Sequence, residues 1–359
     1  MGSPAVATPA VVGPVAIVPR FAANRRVWCV RPGRRYPDLN NGGALEPRTA
    51  DGDLMTRFSL IVNPAAGRGR CRRSVPPAAA VLAAAGAACQ VRESASIRHA
   101  CELAAEAVAA GDVVVAVGGD GMAGALAGAT AAAGGTYGII PAGRGNDLAR
   151  VLGIPADPAA AARVLSAGVT RRVDLIGVGA AGQPELTVAG SVYAGVPSVA
   201  GEIANGTRWL TGPLAYPVAA LRAVAGWKPV RFCVTGAAGE HEFAGYAVVV
   251  ANSAYFGAGM MVAPPAVIDD GMLDLVLMRH GPKLAFIRAL AKIKDGSHTA
   301  LAEVSLSRDS AVTLTADRAV PVAADGETLP FAAPLPAGQP LRIRVLPGVL
   351  TVIVPAPAR

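Results

Sequence analysis

The stretch that decides the fold is residues 113–122, VVVAVGGDGM. Its first half is an almost continuous β-branched run without alternation, a pattern that predicts a strand buried on both faces of a sheet. The glycines that follow allow the backbone to turn sharply or to pass close to a ligand. Asp120 stands at the carboxyl end of this strand, just before an alanine-rich helical stretch. In an open α/β sheet, ligands bind at that edge.

A second stretch, residues 137–147 (YGIIPAGRGND), repeats the design. A short apolar strand runs into a glycine-rich turn that carries Asp147, and a helix is predicted from near Leu148. If the strands are neighbours, both turns point at one crevice, where backbone N–H groups and helix N-termini suit phosphate oxygens and carboxylates suit Mg²⁺. The alternative is that the glycines only make tight turns. Two such turns in tandem, each with an aspartate, favour the phosphate site.

The composition indicates a cationic protein with a sizeable core. The chain has 359 residues, enough for two domains, with 52% hydrophobic and 16% charged residues. No apolar run approaches the roughly 20 residues that span a bilayer. The net charge of +8 favours an anionic partner, but aromatic residues make up only 4% and no basic run is interleaved with them, so nucleic acid is not expected. Five cysteines without CxxC spacing predict reduced thiols in a cytoplasmic protein.

The chain divides into an extension, two domains and a tail. Residues 1–56 lack periodicity, which predicts a basic, disordered extension. The alternative is that this extension is not part of the native protein, because Met55 directly precedes the first convincing strand and can be the true start. Strands and helices alternate over residues 57–168, which predicts an α/β nucleotide-binding domain with a parallel sheet. Strands separated by turns dominate residues 169–354 and predict a mainly antiparallel β-sandwich domain. Residues 355–359 form the tail.

One helical segment of the second domain combines apolar and basic residues. Residues 283–294, KLAFIRALAKIK, have an amphipathic pattern. Such a helix either lies on an anionic membrane or packs as an ordinary surface helix with its apolar face on the core, and the ordinary helix is the favoured interpretation. The predicted apolar face consists of Leu284, Ile287, Leu290, Ala291 and Ile293.

Two acidic turns of the second domain are candidates for chemistry. Asp325-Gly326-Glu327 follows the strand VPVA, and a carboxylate at a strand end can act as general base for a hydroxyl nucleophile. A bare DGE is also a common surface turn. The turn at residues 269–274, DDGMLD, either holds a cation or makes a hairpin. No GxSxG or HExxH motif is present in the sequence, so hydrolase chemistry has little support.

Several short motifs stand in order along the chain. They are Asn63-Pro64 with Gly67, Gly118-Gly119-Asp120-Gly121, Pro141 with Gly143 and Gly145-Asn146-Asp147, Asp270-Gly271-Met272-Leu273-Asp274, and Asp325-Gly326-Glu327. In this order, and with the change from an α/β to a β pattern, the chain resembles the diacylglycerol kinase-type lipid kinase family, in its soluble bacterial branch, which is also similar to sphingosine kinases. The resemblance spans about residues 58–354.

The resemblance implies two domains with ATP and Mg²⁺ in the cleft between them and transfer of the γ-phosphoryl group to a lipid hydroxyl, first of all that of diacylglycerol. Asp325 or Glu327 is then the catalytic base, and the resemblance does not separate them. It implies Asp120 as a ligand of Mg²⁺ or nucleotide, and a structural Mg²⁺ site made of the Asp270 carboxylate and the carbonyls of Val267 and Met272. The implied nucleotide-binding residues are Asn63, Pro64, Gly67, Arg68, Ser94, Gly118, Gly119, Asp120, Gly121, Met122, Gly124, Gly143, Arg144, Asn146 and Asp147.

The chain departs from the family pattern at two positions. The family usually has threonine where this chain has Met122 and Arg144. The loss of two hydroxyls removes candidate phosphate hydrogen bonds. Arg144 can replace one of them by a charge-assisted contact worth roughly 1.5–3 kcal/mol.

Three other functions stay open. The first is a lipid kinase for sphingosine, ceramide or a glycolipid, because the sequence does not show the acyl pocket. The second is an NAD kinase, a class that shares the GGDG turn but carries an Asn-Glu motif absent here. The third is a nucleotide-binding regulator without catalysis, supported only by Met122 and Arg144. For the lipid kinase, peripheral contact with an anionic membrane is expected, in the cytoplasm, and a homodimer is a further expectation.

Overall fold

The computed structural model describes residues 56–64, 69–206 and 215–357. The extension predicted for residues 1–56 therefore lies outside the described residues, except for Thr56. Two of the predicted nucleotide-binding residues, Gly67 and Arg68, also lie outside them.

The N-terminal part is a parallel sheet with helices between its strands. Its strand order is β2-β1-β3-β4, and all of these neighbours pair in parallel. The order reverses between β1 and β3, and such a switch point is where ligands bind in open α/β sheets. The strands are β1 (Arg57–Val62), β2 (Ala88–Glu93), β3 (Val113–Gly118) and β4 (Thr136–Pro141). The helices are α1 (Arg70–Ala84), α2 (Ile97–Ala109), α3 (Asp120–Ala133), α4 (Asp147–Val151) and α5 (Pro158–Ala167).

The C-terminal part is built mainly from antiparallel strands. Its first strands are β5 (Thr170–Ala180), β6 (Leu186–Val188), β7 (Ser191–Gly195), β8 (Val230–Gly236), β9 (Gly239–Ala251), β10 (Tyr255–Phe256) and β11 (Met260–Met261). The later ones are β12 (Leu273–Arg279), β13 (Val304–Asp309), β14 (Ala311–Ala316), β15 (Val322–Ala324), β16 (Glu327–Thr328) and β17 (Leu341–Ile353). Its helical elements are α6 (Val196–Gly206), α7 (Ala215–Gly226), α8 (Lys283–Lys292) and a 3₁₀ turn at Ser297–Ala300.

The last strand connects the two parts. β17 pairs in parallel with β4, through Thr351 opposite Thr136, and antiparallel with β5 and β14. One mixed sheet therefore runs through both parts of the molecule. The predicted fold class, a parallel α/β part followed by a mainly antiparallel β part, is confirmed. The boundary at residue 168 stays a prediction.

Among the described residues, apolar side chains form three buried clusters. One fills the space between the parallel sheet and its helices and includes Leu60, Val115 and Ile140. The second lies within the β part, around Phe232. The third lies under the helices of the β part, around Tyr193. In the part of the chain that the structure describes, no helix has the length and hydrophobicity needed to cross a membrane.

The amphipathic helix predicted near residue 283 exists as α8, but its apolar face differs from the prediction. Phe286 and Ala289 are buried, whereas Leu284 and Ile287 are 57% and 39% exposed. The expectation that this apolar face packs wholly on the core is therefore wrong.

The cysteines agree only in part with the prediction of reduced thiols. Cys71, Cys89 and Cys233 are free. Cys101 is disulfide-bonded, so the prediction is wrong for that residue.

Candidate active site

The two glycine-rich turns lie in direct contact. β3 and β4 are hydrogen-bonded neighbours, with Gly118 opposite Pro141. A Cβ atom on Gly143 would lie 2.3 Å from the Cα atom of Gly119, so only glycine allows this approach. A Cβ atom on Gly118 would lie 2.7 Å from Cβ of Met122, because α3 begins immediately after the strand. The sequence thus brings both loops to one edge of the sheet.

Asp120 holds the second loop in place. Its carboxylate accepts hydrogen bonds from the backbone N–H groups of Asn146, at 3.0 Å, and of Asp147, at 2.5 Å. Gly145 packs so closely that a Cβ atom there would lie 2.4 Å from Oδ2 of Asp120. Asn146 has a φ of 57°, and its own Oδ1 accepts from Gly143 N at 2.8 Å. Asp120 is therefore an anionic clamp at the N-terminus of α3, where the helix dipole favours negative charge.

Asp147 connects this edge to the β part. Its carboxylate accepts hydrogen bonds from the N–H groups of Ala258, at 3.0 Å, and Gly259, at 2.7 Å, which follow β10. Burial raises the pKa of Asp147, and the nearby charge of Asp120 raises it further, while the two amides oppose the shift. The site therefore concentrates negative charge that a cation would neutralise.

Asp325 is held by a ring of backbone donors. Its carboxylate accepts from the N–H groups of Ala189, Gly190 and Ser191 at 2.9, 3.0 and 2.9 Å. Burial of the carboxyl group raises the pKa of Asp325 to about 6, against the lowering effect of these amides, and the charge of Asp120 adds to the rise. The group titrates close to neutral pH, which is a suitable property for a base that must exchange protons.

The DGE turn packs against the first turns of α3. A Cβ atom on Gly124 would lie 3.0 Å from Oδ2 of Asp325, and one on Gly121 would lie 3.5 Å from Oε1 of Glu327. Gly121 and Gly124 are three residues apart on the helix and so share one face. Motifs that are far apart in the sequence, GGDG and DGE, therefore meet across the two parts of the molecule.

These groups line a cleft of about 500 Å³, part of it open to solvent, which we call the polar cleft because it is the cavity with carboxylates in its wall. Asp120, Asp147 and Asp325 all contribute to its wall. Its other lining residues are Gly124, Leu148, Ala189, Gly190, Ser191, Ser253, Tyr255, Phe256, Gly257 and Gly326. Carboxylate oxygens are the ligands that Mg²⁺ prefers, so Asp120 and Asp147 are candidate ligands. The described residues contain no ready-made cluster of three metal-binding side chains here, so phosphate oxygens would have to complete the coordination.

Other residues predicted to bind nucleotide lie at the same sheet edge but do not line this cleft. Ser94 is buried, and its hydroxyl donates to Val62 O at 3.3 Å. Met122 is 6% exposed and belongs to the core. Arg144 is exposed, and Asn63 and Pro64 follow the end of β1. Their roles as nucleotide contacts stay predictions.

Sequence reasoning missed the backbone groups that orient the carboxylates. The amides of residues 189–191, at the start of β7, and of residues 258–259, after β10, lie far from the motifs in the sequence. Backbone N–H groups have no signature in the sequence. Tyr193 was also missed: its hydroxyl accepts from Gly326 N at 3.0 Å and so supports the DGE turn. Arg150 is a further addition, because its guanidinium lies over the Tyr255 ring at 5.6 Å from the ring centre.

The predicted structural Mg²⁺ site at the Asp270 turn contains a cationic side chain. Asp270 accepts from Met272 N at 3.0 Å and forms an ion pair with Arg308, which also lies 3.5 Å from Asp274. Among the described residues, no group of three or more His, Cys, Asp or Glu side chains is arranged to hold a metal ion. A Mg²⁺ ion at this turn would have to share the Asp270 carboxylate with a guanidinium, so the donor set fits the ion poorly. The roles predicted for Asp270, Val267 and Met272 gain no support from these contacts.

An apolar pocket lies beside the polar cleft. It encloses about 590 Å³, including its open mouth, between α6, α7, α8 and the sheet. Phe256 lines both the pocket and the cleft. The ring of Phe256 packs against that of Tyr193 with 4.3 Å between centres. The remaining lining residues are Val196, Pro197, Ala200, Ala220, Ala247, Val249, Met260, Val262, Val276, Met278, Phe286, Leu290, Ile293 and His298.

Comparison with known proteins identifies both parts of the chain. Residues 57–178 match the model of the diacylglycerol kinase catalytic domain, and residues 190–354 match the YegS C-terminal NAD kinase beta sandwich-like domain. A diacylglycerol kinase of Mycobacterium tuberculosis is 30% identical over 302 residues, which cover 83% of this chain and 95% of the relative. A diacylglycerol kinase of Bacillus subtilis is 26% identical over 279 residues, covering 76% of this chain and 90% of that protein.

Solved structures share the fold. A crystal structure of a diacylglycerol kinase from Bacillus anthracis superposes with a TM-score of 0.62 at 21% identity, covering 85% of this chain and 98% of the other. A second solved chain from the same organism gives a TM-score of 0.67 at 23% identity, covering 85% and 99%.

An α/β part whose glycine-rich turns meet a carboxylate turn of a β part defines a kinase, an enzyme that transfers phosphoryl groups. More narrowly, the chain belongs to the diacylglycerol kinase family of lipid kinases. The resemblance drawn from the sequence motifs is confirmed.

Proposed function

We propose that the protein transfers the γ-phosphoryl group of Mg-ATP to the hydroxyl group of a lipid, with diacylglycerol as substrate and phosphatidic acid as product. The observation that carries this proposal is the contact between two unlike cavities. A polar cleft walled by Asp120, Asp147 and Asp325 adjoins an apolar pocket, and Phe256 lines both. A lipid hydroxyl attached to an acyl chain needs this combination of surroundings.

The nucleotide side of the site uses backbone groups and carboxylates. The first N–H groups of α3 have no helical partners and are suited to phosphate oxygens, and the glycines at residues 118–121 allow those oxygens to approach. Asp120 and Asp147 would hold Mg²⁺. Mg-ATP, when bound, supplies the phosphoryl group and the cation that neutralises charge developing on its oxygens.

The acceptor side of the site uses the DGE turn. In its ionised form Asp325 accepts the proton of the lipid hydroxyl while the hydroxyl oxygen forms its bond to phosphorus, and ADP leaves. Three backbone amides fix the orientation of this carboxylate. Glu327, whose Oε1 lies near Gly121 of α3, is the second candidate for the base. Asp325 is the candidate that is buried among backbone donors, and burial raises its pKa to about 6.

The lining of the apolar pocket indicates which part of a lipid it suits. Except for His298, its lining side chains are apolar. We expect part of one acyl chain to enter the pocket and the rest of diacylglycerol to stay outside.

The proposal places the protein in the cytoplasm, in peripheral contact with an anionic membrane that contains the substrate. The net charge of +8 supports this contact. The homodimer stays a prediction. Sphingosine, ceramide, glycolipids and NAD are the acceptors that a substrate panel must include.

The test is transfer of labelled γ-phosphate from Mg-ATP to diacylglycerol in mixed micelles, with the other acceptors in parallel. We expect label in phosphatidic acid, and its loss in Asp325→Asn, which keeps the size of the side chain. Far-ultraviolet circular dichroism of the variant checks its fold. Label in another acceptor instead would identify that acceptor as the substrate. ATP binding without label in any acceptor would favour a nucleotide-binding regulator without catalysis.

A further inference from the structure

Two neighbouring helices of the β part expose large apolar side chains. Val218 and Leu221 on α7 are 42% and 43% exposed, and Leu284 and Ile287 on α8 are 57% and 39% exposed. Most of the large apolar side chains that are exposed in the described part of the chain therefore lie on this one helix pair. We call this surface, made of the exposed residues of α7 and α8, the α7–α8 face.

The two helices are fixed side by side. The ammonium group of Lys283, at the start of α8, donates to the carbonyl of Ala225, near the end of α7, at 2.7 Å. On α7, Val218 and Leu221 share a face with Arg222, while Ala219, Ala220 and Ala223 are buried against the core. The exposed apolar residues therefore lie on the outer sides of two adjoining helices, and exposed apolar patches mark interaction sites.

The charged residues of the two helices are all basic, and the nearest carboxylate along the chain, Asp295 beside Lys292, lies just beyond the end of α8. Between residues 215 and 228 and between residues 283 and 294 the sequence contains no aspartate or glutamate. The basic residues of these segments are all exposed: Arg222, Lys228, Lys283, Arg288, Lys292 and Lys294. Apolar side chains surrounded by cations fit a surface that presents anionic groups above a hydrocarbon layer, which is the chemistry of an acidic bilayer.

The α7–α8 face also lies directly outside the apolar pocket. Ala220 of α7 and Phe286 and Leu290 of α8 line that pocket from the inner side of the same helices. A bilayer touching the outer side would therefore be one helix thickness from the proposed acyl site. This continuity, together with the charge, favours a lipid surface over a protein partner.

We propose that the α7–α8 face docks the protein on an anionic lipid bilayer. Leu284, Ile287, Val218 and Leu221 enter the interface region, and the basic residues contact anionic headgroups. The inference rests on the proposed function, because the bilayer is where the lipid substrate resides. It adds the surface that makes the contact, on the outer side of the helices that line the pocket.

The first experiment is flotation of the full chain with vesicles of phosphatidylcholine, with and without phosphatidylglycerol. We expect binding to the mixed vesicles that weakens as salt rises, because headgroup attraction is screened over about 10 Å at 0.1 M salt. Leu284→Ser with Ile287→Ser, and separately Arg288→Gln with Lys292→Gln, should each lower the partition coefficient at least about tenfold. Val91→Ser, which removes a 44%-exposed apolar residue from β2 in the other part of the molecule, is the matched control and should bind normally.

A second measurement separates the docking surface from the proposed function. None of the four substituted α8 residues lines the pocket or the cleft. The variants should therefore phosphorylate diacylglycerol in detergent micelles at the normal rate and lose turnover only on lipid embedded in vesicles. Unchanged vesicle binding by both variants, or no binding of the unaltered protein to mixed vesicles, would overturn the docking surface. Vesicle binding through this face without transfer to any lipid in micelles would overturn the proposed function and leave the docking surface standing.

Discussion

The surroundings of the Asp325 carboxyl group act on its ionisation in opposite directions. Backbone amides stabilise its anion, while burial and the charge of Asp120 favour the protonated form, and the balance raises its pKa to about 6. Its φ of 45° is uncommon for a residue with a side chain, so the turn holds it in a conformation that costs backbone energy. A base that is half-ionised near neutral pH at a strained turn is typical of a functional position.

At this scale the first prediction concerns the pH dependence of catalysis. Only ionised Asp325 accepts a proton, so kcat/KM for the lipid should fall on the acid side with an apparent pKa near 6. A pH–rate profile in micelles measures this, with Glu327→Gln as the control that leaves Asp325 intact. A profile that is flat from pH 5 to pH 8 would show that Asp325 is not the base.

The same shift predicts how folding stability depends on pH. A carboxyl group whose pKa is higher in the folded protein than its ordinary value of 3.8 binds its proton better when folded. Its contribution to stability is therefore full below about pH 4 and falls as the pH rises through 6, by on the order of 3 kcal/mol. Asp325→Asn removes this titration, so the Tm of the variant relative to the unaltered protein should rise between pH 4 and pH 7. Calorimetry measures both Tm values, and a Tm difference that stays the same from pH 4 to pH 7 would contradict the raised pKa of Asp325.

A third prediction at the residue scale concerns Gly145. An alanine there would place its methyl group 2.4 Å from Oδ2 of Asp120, so that the clamp on the second loop must move. We expect Gly145→Ala to lower the free energy of unfolding by about 1–3 kcal/mol and to raise KM for ATP. Gly179→Ala is the control, because a Cβ atom there meets nothing within 4 Å. Equal effects of Gly145→Ala and Gly179→Ala on KM for ATP would show that the contact between Asp120 and the second loop does not matter for ATP binding.

At the scale of elements, α3 is the helix on which the site depends. It begins at Asp120, and glycines at residues 121, 124 and 128 face Glu327, Asp325 and Thr187 of the β part. A helix face without side chains allows the two parts to approach until the DGE turn touches the helix. The glycines of this stretch thus serve two purposes, phosphate access at the N-terminus and close packing along one side.

This packing predicts the effect of Gly124→Ala. The added methyl group would lie 3.0 Å from Oδ2 of Asp325, which is tight enough to shift the carboxylate but not to prevent folding. We expect kcat to fall about tenfold with little change in Tm, since a small misplacement of a catalytic group is costly. Gly128→Ala, against Thr187 at 3.2 Å, is the matched control and should leave kcat nearly unchanged. A fall in kcat for Gly128→Ala but not for Gly124→Ala would show that the contact between Gly124 and Asp325 does not control catalysis.

The elements also show what the sequence made predictable. Buried strands such as β3 and β4 follow from uninterrupted β-branched runs, and the glycine turns after them follow from the same segments. The amides that hold Asp325 and Asp147 were not predictable, because their position depends on long-range strand pairing rather than on side-chain type. Met122 looked like a departure at the phosphate site, whereas its side chain is part of the core. Arg308 beside Asp270 was missed because their contact is set by the pairing of β12 and β13.

At the scale of the whole molecule, β17 makes the two parts one structure. It pairs with β4 on the α/β side and with β5 and β14 on the β side. Buried residues of this strand belong to both of the larger apolar clusters, Leu350 to the one and Leu341 to the other. The two parts that form the site therefore share one strand and its packing.

The shared strand predicts cooperative unfolding. Because β17 cannot leave one part without exposing the core of the other, calorimetry should show one transition at all salt concentrations rather than one for each part. Ile343 is buried and pairs with both Val178 and Val312. Ile343→Pro should therefore lower that single Tm strongly. Two separate transitions in the unaltered protein would show that the sheet does not couple its halves.

The place of β17 also has a consequence for the order of synthesis. The partner of β4 is β17, which follows the other strands of the β part in the sequence and is therefore synthesised after them. Until then β4 is an open sheet edge, and such an edge invites pairing with other nascent chains. Synthesis of β17, rather than completion of the α/β half, therefore closes this edge, and fragments that stop before residue 341 should depend on chaperones to stay unaggregated.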